Sequence, residues 1–199
     1  MDWLLYENIA LQKGYKAICG VDEAGRGPLA GPVCAAAVIL PEGVVIEGVN
    51  DSKKLSEKKR EALFDVICET AVSYSIAFAD VDEIEEVNIL RATMNTMKRA
   101  VEGLSVKADF AYIDGNTMPP LDIDGECIVK GDAKSMSVAC ASILAKVSRD
   151  RLMLEYAKEY PQYGFEKHKG YGTKLHTEAI REYGPCPVHR PGFLKKILK

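Results

Sequence analysis

No stretch of the sequence reaches the roughly 18 consecutive apolar residues that a membrane-crossing helix needs. No two of its six cysteines stand at the spacing of a zinc ribbon or a redox pair. Cys19, Cys34, Cys68, Cys127, Cys140 and Cys186 lie mostly in apolar stretches, where a free thiol packs as a small hydrophobe. That usage points to a reducing, cytoplasmic setting. Cys186 and His189 have half the spacing of a zinc site, but only His168 and His176 remain to complete it, and neither supplies a second half. The first residues, Met1-Asp2-Trp3-Leu4-Leu5-Tyr6-Glu7, carry acids where a signal peptide carries bases. Repeats, low-complexity tracts and linkers are missing, so 199 residues read as one domain, long enough to bury a core without staples. A basic excess is missing too. The 26 Lys and Arg meet 29 Asp and Glu, a net charge of −3, which taken alone argues against a nucleic-acid partner.

The distribution of charge says more than its total. Residues 160–199 hold eight Lys and Arg against three acids, leaving −8 for the rest of the chain. A basic end on an acidic body suggests an electrostatic division of labour.

Strand and helix patterns alternate. Residues 17–21 and 32–40 are apolar and β-prone around a Gly/Pro-rich turn, which predicts a hairpin or two linked strands. Ser56 can cap a helix with Leu63, Phe64, Ile67, Cys68 and Ala71 on its apolar face. Val72, Tyr74, Ile76 and Phe78 alternate with smaller residues, a strand with one buried face. From Asp82 on, Val87, Leu90, Met94, Met97, Val101 and Leu104 form one helical stripe. Short strands are predicted at 110–113 and 127–130, a long helix from Asp132 to about Tyr160, and a short one near 174–183. The order suggests an α/β fold, and the early hairpin makes its sheet mixed.

Acids beside glycine recur at three strand or helix ends: Asp22-Glu23, Asp114 and Asp132. Carboxylates next to apolar strands are costly to bury unless cations meet them. Acids gathered without His or Cys favour a hard ion such as Mg²⁺ or Mn²⁺, and two such ions can clamp a phosphodiester. Asp114 before glycine also suits a turn, and Asp132 suits a helix cap. Asp22-Glu23 has no such alternative, yet adjacent strand residues face opposite ways, so both serve one centre only if the strand bends or ends there. Gly25-Arg26-Gly27 does not continue as a dinucleotide fingerprint, and Gly131 through Ser135 lacks the glycines of a phosphate-binding P-loop. Gly25 and Gly27 can instead let bare backbone approach a ligand, and Arg26 can hold a phosphate.

Together these segments resemble ribonuclease HII of the bacterial type. The matching stretches are 21–32, 51–56, 113–116, 130–132 with 141–151, and 168–173, in the expected order. Cys140 stands where alanine is expected, and the tail after Thr173 matches less closely. The related ribonuclease HIII carries a sizeable extra N-terminal domain, which the 21 residues before Asp22 disfavour. The resemblance implies an α/β, RNase H-like fold, a mixed central sheet flanked by helices. It places a catalytic core at 1–160 and a small helical, basic, substrate-binding extension of the same domain at 161–199. It implies a monomeric, cytoplasmic endonuclease using two Mg²⁺ or Mn²⁺ ions. Its substrates would be RNA–DNA hybrids and ribonucleotide-containing duplex DNA, cut 5′ to a single embedded ribonucleotide. Carried over by position, Asp22, Glu23, Asp114 and Asp132 are the catalytic, metal-binding acids. Gly25, Arg26 and Gly27 read the ribose 2′-hydroxyl, and Tyr171 stacks near the next sugar. Lys53, Lys54, Lys146 and Lys169 are candidate phosphate contacts. The rival readings are an inactive hybrid-binding module and a DNA nuclease with the same metal chemistry.

Overall fold

The computed structural model describes residues 2–195, 197 and 198. Met1, Lys196 and Lys199, counted above in the N-terminal and basic segments, lie outside the described residues. The two apolar stretches flanking the Gly/Pro turn form β1 (Ile18–Ala24) and β2 (Val33–Ile39), paired antiparallel with Cys19 opposite Ile39 and Ala24 opposite Cys34. β3 (Ser73–Ala79) adds antiparallel to β2, and β4 (Phe110–Asp114) and β5 (Asp124–Ile128) add parallel on the other side of β1. The order β3-β2-β1-β4-β5 gives the mixed sheet expected from the sequence.

Alternation along the strands sends two residue sets to two helical layers. Cys19, Val21, Ala35, Ala37 and Ile113 pack under α4 (Ile89–Glu102) through Met97, Ala100 and Val101. Cys34, Ala36 and Val38 pack under α5 (Met136–Glu159) through Ala139, Cys140, Ile143 and Leu144, with Ile67 of α2 (Glu57–Thr70) behind them. The Ser56 hydroxyl accepts from the Lys59 N–H and caps α2 as its spacing predicts. Glu7, on α1 (Leu5–Gln12), places Oε1 at the start of α5, accepting from both the Ser135 and Ser137 hydroxyls and from the Ser137 N–H. A carboxylate there satisfies end groups of the helix and complements its dipole.

Four local expectations are corrected. The stripe from Val87 to Leu104 is broken. α3 (Val81–Val87) is capped by Asp80 rather than opened at Asp82, and Asn88, at φ +69°, ends it and caps α4 with its own side chain. On β3 the strand forms but neither face is buried throughout. Ser73 and Ala79 are buried, Ile76 and Ala77 are half-buried against the two core layers, and Val72, Tyr74 and Phe78 are exposed, as suits an edge strand. β5 runs from Asp124 to Ile128 rather than over 127–130, and left-handed Lys130 lies beyond its end. The long helix is capped by Ser135, not Asp132, which sits in a separate 3₁₀ turn, Gly131–Ala133.

After Pro161 the chain packs back on the far half of α5. Tyr163, Phe165 of α6 (Phe165–His168), Ala179 and Ile180 of α7 (Lys174–Tyr183) and Leu194 of α8 (Pro191–Leu194) bury against Met153 and Ala30. No described helix is long and apolar enough to cross a membrane.

At Gly20 the start of α5 lies tight against β1. A Cβ there would collide with the backbone of Ser137 and Val138. Backbone cannot swing aside as a side-chain tip can, so Gly20→Ala should cost about 3 kcal/mol, read as a lowered urea midpoint.

Candidate active site

β1 and β4 are adjacent and parallel, so their C-terminal ends open at one edge of the sheet, where α/β folds bind ligands. The register sets Val21 beside Ile113, and the next residues are Asp22 and Asp114. β1 ends at Ala24 and Gly25 turns at φ +98°, which meets the condition that the strand stop just after its two acids. One carboxylate oxygen from each of Asp22, Glu23 and Asp114 lies within 4.8 Å of the others. Asp22 Oδ1 accepts from the Glu23 N–H at 2.6 Å. Asp114 Oδ1 accepts from the Gly131 N–H at 2.6 Å and the Asp132 N–H at 3.4 Å, tying the end of β4 to the 3₁₀ turn. Asp132 lies outside the three-acid group and stands toward Asp114 and Asp51.

The electrostatics are those of an acid cluster only partly compensated by neighbouring cations. Burial pushes the Asp22 carboxyl well above the usual range, and neighbouring Glu23 and Asp114 push it further. Burial also raises Glu23, Arg26 opposes with its guanidinium 3.4 Å away, and Asp114 adds to the rise. Asp132 is raised by burial and then by Asp114 and Asp51. Burial lowers Lys53, but Asp22, Asp132, Asp51 and Asp114 outweigh it, and its ammonium is held more firmly charged than usual. Three hard oxygen donors at this separation, with Asp22 and Glu23 disfavoured as anions, fit a divalent cation.

Beside the acids lies a cleft of about 190 Å³ lined by Glu23, Gly25–Gly27, Lys53, Lys146 and Tyr171. Two residues the sequence reading did not single out, Ser52 and Ser142, also line it and share a buried hydroxyl–hydroxyl hydrogen bond of 2.8 Å. The Tyr171 ring is exposed and stands next to Gly27. The lysines divide. Lys53 faces the acids. Lys146 donates to Asp150 at 2.7 Å and is lowered by burial. Lys54 is largely exposed, 3.9 Å from Asp51. Lys169 turns away to the Glu166 carbonyl at 2.7 Å. Arg190, counted by sequence in the basic segment, is wholly buried.

All three histidines meet behind Tyr171. His176 Nδ1 donates to the Tyr171 carbonyl at 2.9 Å, so its Nε2 is the acceptor for His189 Nε2–H at 3.0 Å. His189 Nδ1 then accepts from the Cys186 N–H at 3.0 Å. His168 stacks on His176, donates to the Tyr163 carbonyl and accepts from the Gly170 N–H. Each neutral ring thus has a partner at both nitrogens. Separation of 168, 176 and 189 along the chain hides this relay from any spacing argument.

A mixed sheet of this order, with carboxylates from two adjacent central strands at one edge, defines a nuclease of the RNase H-like class. Residues 19–196 match the family model for ribonuclease HII. The ribonuclease HII of Caldicellulosiruptor saccharolyticus is 56% identical over 195 residues, covering 98% of this chain and 95% of the relative. That of Idiomarina loihiensis is 58% identical over 183 residues, covering 91% and 98%. Among solved structures, the ribonuclease H2 of Pyrococcus horikoshii superposes with a TM-score of 0.77 at 28% identity, over 92% of this chain and 97% of that one. The chain belongs to the ribonuclease HII family.

Two predictions come from these charges. The folded Asp22 carboxyl holds its proton more tightly than the unfolded one, so its ionisation destabilises the metal-free fold at neutral pH. Asp22→Asn keeps the Oδ1 acceptor and removes the charge. It should raise the melting temperature in EDTA by about 2–4 °C, the equivalent of roughly 1 kcal/mol in a chain of this size, and weaken the upward shift expected of the parent on adding a divalent cation. Burial lowers His176 and His189 from 6.5 to about 4. Their share of stability is complete above pH 6.5 and is lost as pH falls toward 4, because only the unfolded chain takes up those protons. Ring resonances followed by NMR should therefore show both imidazoles neutral at pH 5.

Proposed function

We propose that Asp22, Glu23, Asp114 and Asp132 hold the divalent ions with which this endoribonuclease of the RNase H type works. It hydrolyses the RNA strand of RNA–DNA hybrids and cuts 5′ to single ribonucleotides embedded in duplex DNA, leaving a 3′-hydroxyl and a 5′-phosphate. The observation that carries this reading is the gathering of Asp22, Glu23 and Asp114, with Glu23 also lining the cleft formed by Gly25, Arg26, Gly27 and Tyr171. Held by these four acids, a pair of Mg²⁺ or Mn²⁺ ions would supply an activated water and stabilise the leaving oxygen.

The chain's own residues divide the remaining work. The 2′-hydroxyl alone distinguishes RNA from DNA at one nucleotide, so its reader must reach it by hydrogen bond; the bare backbone of Gly25–Gly27 gives that reach. The exposed Tyr171 ring beside Gly27 offers a flat face to the neighbouring sugar. Lys53 meets a phosphate at the acid cluster, and Lys54 and Lys146 add charge around it. Lys169, turned to a backbone carbonyl, has the weakest claim of the four. One chain supplies every candidate residue, which supports action as a monomer. Six unpaired cysteines support a cytoplasmic setting.

A DNA duplex carrying one ribonucleotide should be nicked 5′ to it with Mg²⁺ or Mn²⁺ and survive in EDTA, while the all-DNA duplex survives both. Cutting of the all-DNA duplex would favour a DNA nuclease, and binding without any cutting would favour an inactive hybrid-binding module. Tyr171→Ala should lower kcat/KM on this substrate about tenfold, the scale of one lost stacking contact, in gel-based kinetics.

A further inference from the structure

The loop between β1 and β2 has an unusual source of order. Arg190, fully buried, makes five hydrogen bonds and all go to main-chain carbonyls. Nη2 donates to Gly25 O and Gly31 O, each at 2.7 Å. Nη1 donates to Arg26 O at 3.0 Å and Pro28 O at 2.9 Å, and Nε to Gly31 O at 2.9 Å. No ion pair to Arg190 is present among the described residues. Its own backbone N–H donates to Leu29 O at 2.8 Å, and Gly31 N–H donates back to Val188 O at 2.7 Å. The C-terminal segment therefore grips this loop at both its side chain and its main chain.

Peptide planarity gives the grip a direction. In a trans peptide the N–H of one residue points opposite to the carbonyl of the residue before it. Arg190 draws the Gly25 and Arg26 carbonyls inward, so the Arg26 and Gly27 N–H groups point outward. Both belong to residues that are exposed and line the cleft. Neither N–H has a protein acceptor among the described residues.

We infer that Arg190 is a positioning residue for substrate discrimination: by orienting the peptide planes 25–26 and 26–27 it aims two free N–H groups at the ribose 2′-oxygen. This rests on the proposed reading of Gly25–Gly27 as the 2′-hydroxyl sensor. Lysine cannot replace arginine here, because a point ammonium cannot span carbonyls that a planar fork reaches together. Arg149 holds the other end of the loop through Pro32, Ala30 and Lys169 carbonyls and does not touch those of residues 25 and 26.

The test is fluorescence anisotropy in EDTA, where nothing is cut, with two duplexes of one sequence that differ by a single ribonucleotide. The unsubstituted protein should prefer the ribonucleotide duplex by about tenfold, the scale of two net hydrogen bonds. Arg190→Lys should bring that ratio to about one to two while still melting cooperatively. Arg190→Gln, which puts no charge in the buried position, should do the same and serves if the lysine variant does not fold. Met97→Ala, which opens a cavity under the opposite face of the sheet, should lower stability and keep the ratio. A retained ratio in the Arg190 variants, or an equal loss in Met97→Ala, would overturn the inference. No preference in the unsubstituted protein would overturn the sensor reading itself.

Discussion

Arg149 and Arg190 are enclosed, and the positive charge of each is met by main-chain carbonyls rather than by a carboxylate. A buried guanidinium is costly unless its donors are satisfied, and removing it would strand the carbonyls it serves. The loop from Gly25 to Pro32 and the two arginines therefore hold each other in one arrangement. Gly25 belongs to the same constraint, since a Cβ there would run into the Arg149 side chain. Through Arg149 the loop is joined to α5 and to Lys169, and through Arg190 to the C-terminal segment. The second layer of the site hangs on this lock: the Tyr171 loop, the histidine relay behind it and the Gly27 face in front.

The sheet supplies the other half of the site by a different principle. Carboxylates at the ends of two parallel strands are brought together by register, not by attraction. Burial first, and then repulsion from neighbouring carboxylates, raises the Asp22 and Glu23 carboxyls, a strain the hydrophobic layers on either side of the sheet must carry. Such strain is characteristic of a site organised for a ligand rather than for stability. The net charge of −3 is thus a poor guide to the partner. Three of the acids crowd one edge, while the exposed Lys53, Lys167 and Arg181 offer charge to a polyanion.

Much of the fold was legible in sequence because the controlling interactions are local. The Ser56 cap, the β1 and β2 runs and the α5 pattern all depend on neighbours a few residues away. The misreadings have non-local causes. The helical stripe was broken by one left-handed Asn88, which periodicity cannot register. β3 lacks the single buried face its alternation suggests because its edge position leaves both sides only partly covered. Asp132 read as a cap because a 3₁₀ turn and a true cap at Ser135 look alike at this spacing. Arg190 read as part of a basic surface because sequence counts a charge without its burial.

The amino-acid sequence by itself determined the element types, the mixed α/β class and, through its five ordered motifs, the family. It also offered the acids as candidates, although Asp114 and Asp132 had a turn and a helix cap as rival uses until the motifs were taken together. Tertiary structure alone decided that Asp22, Glu23 and Asp114 form the tight group while Asp132 stands off. It likewise decided which lysines face the cleft and that residues 168, 176 and 189 make one relay. Above all it decided that Arg190 grips a loop more than 150 residues away in the chain. Register, burial and hydrogen bonding between distant segments set those outcomes, and none of them is written in local spacing.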